Sequence, residues 1–256
     1  MTRHHQAHDT DAVSERFSPV VELRQYTLHP GRRDTLIDIF DRHFVESQED
    51  TGMKVIGQFR DLDRPDYFVW MRGFDGMEAR RRSLEAFYDG PVWAKHKSAA
   101  NATMVDSDDV LLLKPAWPGA GFDLAGASRP PVDDRDAESK SDRFVVAAIH
   151  HILPGKEQEF AALYRREALP PAAGRLVAAF ISEHAENTFP RLPVRADENV
   201  FVALRTFDTV GEHAASTARL AASPEWQAFA AGAGKLQARP AETLRLTPTS
   251  RSLLLV

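Results

Sequence analysis

The stretch Arg72-Gly73-Phe74-Asp75, followed further on by Gly90-Pro91-Val92-Trp93, decides the fold because the chain repeats it. The second copy reads Arg205-Thr206-Phe207-Asp208 and then Ser223-Pro224-Glu225-Trp226. The separation between the Phe-Asp pair and the tryptophan is the same in both copies. A unit of about 100 residues that occurs twice is typical of two homologous domains rather than of a solenoid. The sequence therefore predicts a duplicated architecture.

Each copy begins with a strand-like run that ends in a Pro-Gly turn. Residues 20–28 run into His29-Pro30-Gly31, and residues 144–151 run into Leu153-Pro154-Gly155. A helical pattern follows each turn, and two strands, a further helical stretch and a closing strand complete each copy. This order, β-α-β-β-α-β, is that of a ferredoxin-like unit.

The predicted division of the chain follows from this order. Residues 1–18 form a polar tail that we expect to be disordered, residues 19–115 the first domain, residues 116–142 a linker rich in glycine, proline and alanine, and residues 143–256 the second domain. An antiparallel sheet with helices on one face leaves its other face uncovered. We therefore expect an α+β protein in which two tandem ferredoxin-like domains form an intrachain pseudo-dimeric barrel. The sequence leaves open whether the chain is also a homo-oligomer.

The composition excludes several classes of function. The net charge of the 256-residue chain is −5 and no basic block is present, which argues against nucleic acid as a partner. Cysteine is absent, so neither a disulfide nor a thiolate nucleophile is available. The chain has no apolar run long enough to span a membrane and no apolar segment of a secretory signal near Met1. These absences predict a cytoplasmic protein without a membrane partner.

Two motifs resemble those of a known family. Residues 22–31, ELRQYTLHPG, resemble the opening motif of the NIPSNAP family, and residues 223–229, SPEWQAF, resemble its closing helix motif. The resemblance covers about 20–115 well and about 144–247 more loosely. It implies the dimeric α+β barrel superfamily, which includes cofactor-free monooxygenases, haem-dependent enzymes, lyases and isomerases. A small-molecule cavity is thus implied, but no particular reaction.

Four side chains of the first half are predicted to form one polar patch. Arg24 and Tyr26 share a face of the first strand, and Trp70 and Arg72 share a face of the third. If these strands are neighbours, two guanidinium groups lie beside aromatic rings, an arrangement that suits an aromatic or enolate-like anion. Arg24 and Arg72 would anchor the anion, Trp70 would stack on it and Tyr26 would transfer a proton. The alternative is structural: Arg24 pairs with Glu22, and the aromatic rings are core.

A tryptophan and a histidine share one face of a predicted helix in the first half. Trp93 and His96 are three residues apart, so His96 could act as a general base or as a haem ligand, and Trp93 could contact the substrate. The alternative is a surface histidine beside a packing tryptophan. The second copy favours the packing role for the tryptophan, because Trp226 has Phe229 at the third position.

The second half keeps little of this polar pattern. Ala148 stands where the first half has Arg24, and His150 stands where it has Tyr26. Only Arg205 keeps the residue type of Arg72. We therefore include His150 and Arg205 as candidate ligand-binding residues, although a buried, hydrogen-bonded histidine would explain His150 as well.

These observations give one leading hypothesis. The chain is expected to be an enzyme of the monooxygenase, isomerase or lyase kind that acts on a small aromatic or polyketide-like molecule, with Tyr26, His96 and Arg72 as catalytic residues and with no cofactor and no metal. The alternatives are a non-catalytic ligand-binding or protein-interaction module and a haem-binding protein. None of the motifs of zinc proteases, serine hydrolases, nucleotide hydrolases or dinucleotide-binding enzymes is present.

Overall fold

The computed structural model describes residues 18–132, 144–167 and 173–254. Most of the predicted tail, at 1–17, and part of the predicted linker, at 133–142, lie outside the described residues. Eight strands occur in the described part: β1 (Val20–Leu28), β2 (Lys54–Asp61), β3 (Tyr67–Phe74), β4 (Met104–Pro115), β5 (Phe144–Ile152), β6 (Arg175–Ser182), β7 (Val200–Phe207) and β8 (Gln237–Pro248).

The helices follow the strands in the same order in both halves. Those of the described part are α1 (Arg33–Ile39), α2 (Val45–Glu49), α3 (Met77–Tyr88), α4 (Pro91–Asn101), α5 (Glu157–Glu167), α6 (Val210–Ala221) and α7 (Pro224–Gly234). A π turn, Phe40–Phe44, joins α1 to α2 without a break in the helix. Proline at the first position starts both α4 and α7, where its missing N–H leaves no hydrogen bond unmade.

The eight strands close into one antiparallel barrel. Their order around the barrel is β1-β3-β2-β8-β5-β7-β6-β4, with β4 returning to β1. Each half contributes four neighbouring strands, and the halves meet at two seams, β2 with β8 and β4 with β6. The expected α+β barrel is thus confirmed.

Alternation along the strands sends one set of side chains into the barrel and the other outward under the helices. The inward set is apolar and buried, for example Leu23 on β1, Met71 on β3 and Val202 on β7. The outward set of β1 and β3 includes Tyr26 and Trp70, which share a second core with the helices of the first half. The barrel interior is therefore apolar, whereas Tyr26 and Trp70 of the first half lie between the barrel wall and its helices.

The first part of the predicted linker is built into the fold. Ala116 and Ala120 are buried, and both form backbone hydrogen bonds with Ala179 of β6. Phe122 reaches the barrel core and packs against Phe180, with the ring centroids 5.2 Å apart. The glycine and proline content of this segment therefore shapes turns over a barrel end rather than a free connection. In the part of the chain that the structure describes, no helix is both long and apolar enough to cross a membrane.

Candidate functional site

Three buried arginines surround one buried glutamate on the outer wall of the barrel. Glu22 on β1 accepts from Arg24 Nη1 at 2.7 Å and from Arg72 Nε at 2.8 Å through Oε2. Its Oε1 accepts from Arg80 Nε of α3 at 2.7 Å. The antiparallel register explains the meeting, since Glu22 lies opposite Arg72 and Arg24 lies opposite Trp70. We call Glu22, Arg24, Arg72 and Arg80 the arginine cluster.

The arginine cluster carries more positive than negative charge. Burial alone would raise the pKa of Glu22, but the charges of Arg72, Arg24 and Arg80 outweigh this and hold the pKa well below its usual range. Glu22 is therefore ionised, and three cations facing one anion leave two positive charges without a counterion. Among the described residues, no other carboxylate pairs with these arginines.

Several polar atoms around the cluster have no hydrogen-bond partner among the described residues. They are Nη2 of Arg72, Nη2 of Arg80 and the indole Nε1 of Trp70. Buried polar atoms are nearly always paired in native proteins, and an unpaired one is costly. These unpaired groups are all donors, and they lie beside an excess of positive charge.

A small cavity lies against this cluster, between the barrel wall and the helices. Its volume is about 30 Å³. Tyr26, Gln48 and Trp70 line it on the inner side, and Tyr88 and Trp93 belong to its outer side. The outer two are half-buried, whereas Trp70 is 1% exposed. The cavity has room for about one water molecule, so a ring enters only if the outer side chains move.

The inner wall connects the cavity to the arginines through two polar side chains. The Tyr26 hydroxyl accepts from Arg24 Nε at 3.0 Å, and Gln48 Oε1 accepts from Arg72 Nη1 at 2.9 Å. Gln48 also donates to the Phe44 carbonyl at 2.9 Å, which fixes it to the π turn. Burial raises the pKa of Tyr26 despite the neighbouring Arg24. Tyr26 therefore stays protonated at neutral pH and can donate a proton or a hydrogen bond.

The sequence analysis did not predict Gln48 or Tyr88 of the cavity, nor two residues of the charged part of the site. Arg80 stands in the run Arg80-Arg81-Arg82, which is typical of an exposed helix face. Its spacing from Leu84 and Phe87, both buried, would have indicated the inner face of α3. The second is Asn187, whose Oδ1 accepts from Arg80 Nη1 at 3.0 Å.

His96 lies outside the cavity. Its ring stacks on His43 of the π turn at a centroid distance of 3.7 Å, and burial together with the charge of His43 lowers its pKa. Trp93 of the same helix does line the cavity and packs edge-on against Tyr88 at 4.8 Å. The predicted Trp93–His96 face thus divides between cavity and surface, and a role of His96 as base or haem ligand finds no support in this placement.

The candidate residues of the second half lie in a separate cluster. Arg205 donates to the Tyr164 hydroxyl at 3.1 Å and to the Gly174 carbonyl at 2.9 Å. His150 packs on Phe160 at 4.9 Å, and its Nδ1 accepts from Gln237 at 2.9 Å. These contacts make a packed, hydrogen-bonded environment, which agrees with the structural interpretation of His150.

The wider groove of the second half has fewer features of a functional site than the small cavity. It has a volume of about 540 Å³ and is lined by Trp117, Gln158 and the exposed Arg165, among others. No buried titratable side chain of the described residues lines it. We therefore place the candidate site at the arginine cluster.

Histidine burial makes the fold sensitive to acid. Burial and the neighbouring His151 lower the pKa of His150 to about 4. Between about pH 6.5 and that value the unfolded chain binds the proton more tightly, so stability falls by about 3 kcal/mol as the pH is lowered through this window. His150→Asn is expected to remove this loss, as measured by urea unfolding at pH 7 and pH 4. The exposed His29→Asn is the control, and equal pH dependence of both variants would contradict the prediction.

Comparison with known families gives a match in the first half of the chain. The NIPSNAP family model matches residues 21–117, a range that contains Glu22, Arg24, Arg72 and Arg80. The family resemblance of the opening motif is thus confirmed for this part of the chain. No curated protein matches the chain in sequence.

Solved structures share the architecture over the whole chain. A provisionally assigned monooxygenase from Lactobacillus acidophilus NCFM is 8% identical, with a TM-score of 0.54 over 90% of this chain and 94% of its own. An anthrone oxidase-like protein is 11% identical, with a TM-score of 0.53 over 90% and 91% of the two chains. A NIPSNAP family protein from Agrobacterium tumefaciens strain C58 is 24% identical over 44% of this chain and 92% of its own, with a TM-score of 0.37. The two full-length likenesses show a common fold.

Proposed function

We propose that this chain is an enzyme that binds a small organic anion at the arginine cluster and acts on it without a bound cofactor. In this proposal each half is a ferredoxin-like unit, and the site belongs to the first. The observation that carries it is the excess of positive charge, because three buried arginines share one buried carboxylate. A buried ion without a counterion costs several kcal/mol, so an arrangement kept at such a cost is expected to serve ligand binding.

The roles follow from the inner wall of the cavity. Tyr26 donates to an oxygen of the ligand, and its hydroxyl is polarised by Arg24. The unpaired indole N–H of Trp70 supplies a second donor beside the cavity. The field of the arginines stabilises negative charge that develops on the ligand, as an enolate or a phenolate does. A ligand that has lost its proton to water and is bound as an enolate or phenolate can be reprotonated at carbon, lose a leaving group or react with dioxygen. The names of the full-length structural neighbours favour the last course.

The size of the cavity defines how a ring could enter. Ligand pockets usually have volumes of about 300–1,000 Å³, far above the present 30 Å³. The half-buried Tyr88 and Trp93 form the outer side and are the groups that must turn outward. Binding of a ring in this proposal therefore requires both side chains to move.

Matched pairs of ligands test this function. A small aromatic carboxylate or phenol is compared with its neutral amide or methyl ether by calorimetry. We expect the anion-forming member to bind and the neutral member to bind at least about tenfold more weakly, because only the first neutralises the cluster. Oxygen consumption and product analysis by mass spectrometry then follow on each ligand that binds.

Each outcome decides between interpretations. Equal binding of both members, or no binding of either up to the solubility limit, would contradict an anion site. Binding without turnover of any ligand would instead support the non-catalytic binding module. Turnover that disappears in Tyr26→Phe while binding remains would support proton donation by Tyr26.

The outer wall gives a kinetic prediction. Trp93→Ala removes a side chain that must turn outward, so the ligand is expected to associate about fivefold faster or more, as measured by stopped-flow fluorescence. Trp226→Ala changes the corresponding tryptophan of the second half and is the control. If the ligand associated with Trp93→Ala no faster than with Trp226→Ala, it would enter the site elsewhere.

A further inference from the structure

The cover of the arginine cluster comes from the other half of the chain. The loop between β6 and β7, residues 183–199, is much longer than its counterpart between β2 and β3, residues 62–66. Instead of staying over its own half, it crosses to α3. Thr188 Oγ1 donates to the Met77 carbonyl at 3.4 Å, and Arg191 pairs with Asp89 at 2.8 Å.

The loop closes over both the aromatic and the charged part of the site. Phe189 is buried in the same apolar cluster as Tyr26 and Trp70, and its ring lies 5.8 Å from that of Tyr88. Asn187 Oδ1 accepts from Arg80 Nη1. The first-half site is thus completed by side chains that follow it by about a hundred residues in sequence, as the Arg80–Asn187 bond shows.

The orientation of the Asn187 amide is fixed by the loop itself. Its Nδ2 donates to the Leu192 carbonyl at 2.9 Å, and its Oδ1 also accepts from the Phe189 backbone N–H at 3.1 Å. The oxygen therefore faces Arg80. Nη1 of Arg80 gains a partner without gaining a counterion, since the amide is neutral.

We propose that Asn187 is a positioning residue of the first-half site, which holds Arg80 through a neutral contact and so keeps the positive charge of the cluster available to the ligand. This inference rests on the proposed anion binding. An aspartate of nearly the same shape would pair with Arg80 and reduce the excess charge from two to one. The ion pair with Arg80 would favour the aspartate, and the lost hydrogen bond to the Leu192 carbonyl would oppose it. A neutral amide at this position preserves the excess positive charge that an anion-binding site requires.

The test compares Asn187→Asp with wild type, using the same aromatic anion and its neutral counterpart. We expect Asn187→Asp to bind the anion about tenfold more weakly or worse, with the affinity for the neutral compound unchanged. Asn101→Asp, the same change at an exposed position of α4, is the control and should alter neither. Asn187→Ala leaves the charge of the arginine cluster unchanged but removes the hydrogen bond to Arg80. It should weaken binding of the anion only a few-fold.

The outcomes separate this inference from the function on which it rests. If wild type prefers the anion and Asn187→Asp keeps the same preference, the positioning role of Asn187 is wrong and the anion site stands. If wild type shows no preference, both are wrong. Should Asn187→Asp fold poorly because its carboxylate faces the Leu192 carbonyl, Gln48→Glu adds the same charge beside Arg72, and an unchanged anion preference in that variant overturns the inference.

Discussion

Glu22→Gln is expected to lower the free energy of unfolding by about 3–5 kcal/mol, the cost of leaving buried charges without their counterion. The change keeps the size of the side chain but leaves Arg24, Arg72 and Arg80 buried around a neutral amide. For a chain of this length the melting temperature should fall by roughly 6–20 °C. Urea unfolding followed by circular dichroism, with thermal melting beside it, measures both quantities.

The surface of α3 offers a matched control. Glu78 also accepts from two arginines, Arg81 at 2.6 Å and Arg82 at 3.3 Å, but these side chains are exposed to solvent. Glu78→Gln should therefore change the stability by no more than about 0.5 kcal/mol. If Glu22→Gln and Glu78→Gln unfolded at the same urea concentration, the arginine cluster would not be the electrostatic feature that we describe.

Removing an arginine from the cluster should weaken anion binding without lowering the stability of the fold. In Arg80→Met the excess charge falls to one, while Glu22 keeps Arg24 and Arg72 as partners. We expect the stability to stay level or to rise by about 1–2 kcal/mol, since an apolar side chain replaces a poorly compensated buried ion. The affinity for an anionic ligand should fall by about tenfold or more, which corresponds to about 1.4 kcal/mol. Unfolding and calorimetry on the same preparation measure the two changes.

Two further variants test whether these effects are specific to the interaction between Arg80 and Glu22. Arg82→Met alters an exposed arginine of the same helix and should change neither property. In the double variant Glu22→Gln, Arg80→Met, part of the loss caused by Glu22→Gln should be recovered, because the residues interact directly. A large loss of stability in Arg80→Met alone would mean that the arginine is structural and that the excess charge is not a preparation for a ligand.

The sequence allowed much of the inner wall to be predicted, because strand alternation is a local rule. Glu22, Arg24 and Tyr26 share a face by the period of two, and the predicted neighbouring strand does bring Trp70 and Arg72 beside them. Both interpretations of Arg24 describe part of the result, since it pairs with Glu22 and also supports a residue that lines a cavity. Their chemical roles remain predictions.

The rest of the site depends on contacts that no local pattern encodes. Asn187 lies in the long loop between β6 and β7, where no periodic pattern indicates which side chains face α3. The π turn at Phe40–Phe44 shifts the phase of a helix that the sequence predicts as regular, and so brings Gln48 to Arg72. Helical spacing also predicts that Trp93 and His96 share a face, but not that only Trp93 reaches the cavity.

The two seams of the barrel have a consequence for assembly. Each consists of only three registered residue pairs, from Phe59 with Pro248 at one seam and from Leu113 with Ser182 at the other. Opening both would expose complete strand edges, and these edges would fit the halves of a second chain as well as their own. Joining the halves in one chain sets their effective concentration on the order of millimolar, so closure within the chain prevails in dilute solution. Concentrated protein that is partly unfolded and then refolded should contain dimers with exchanged halves.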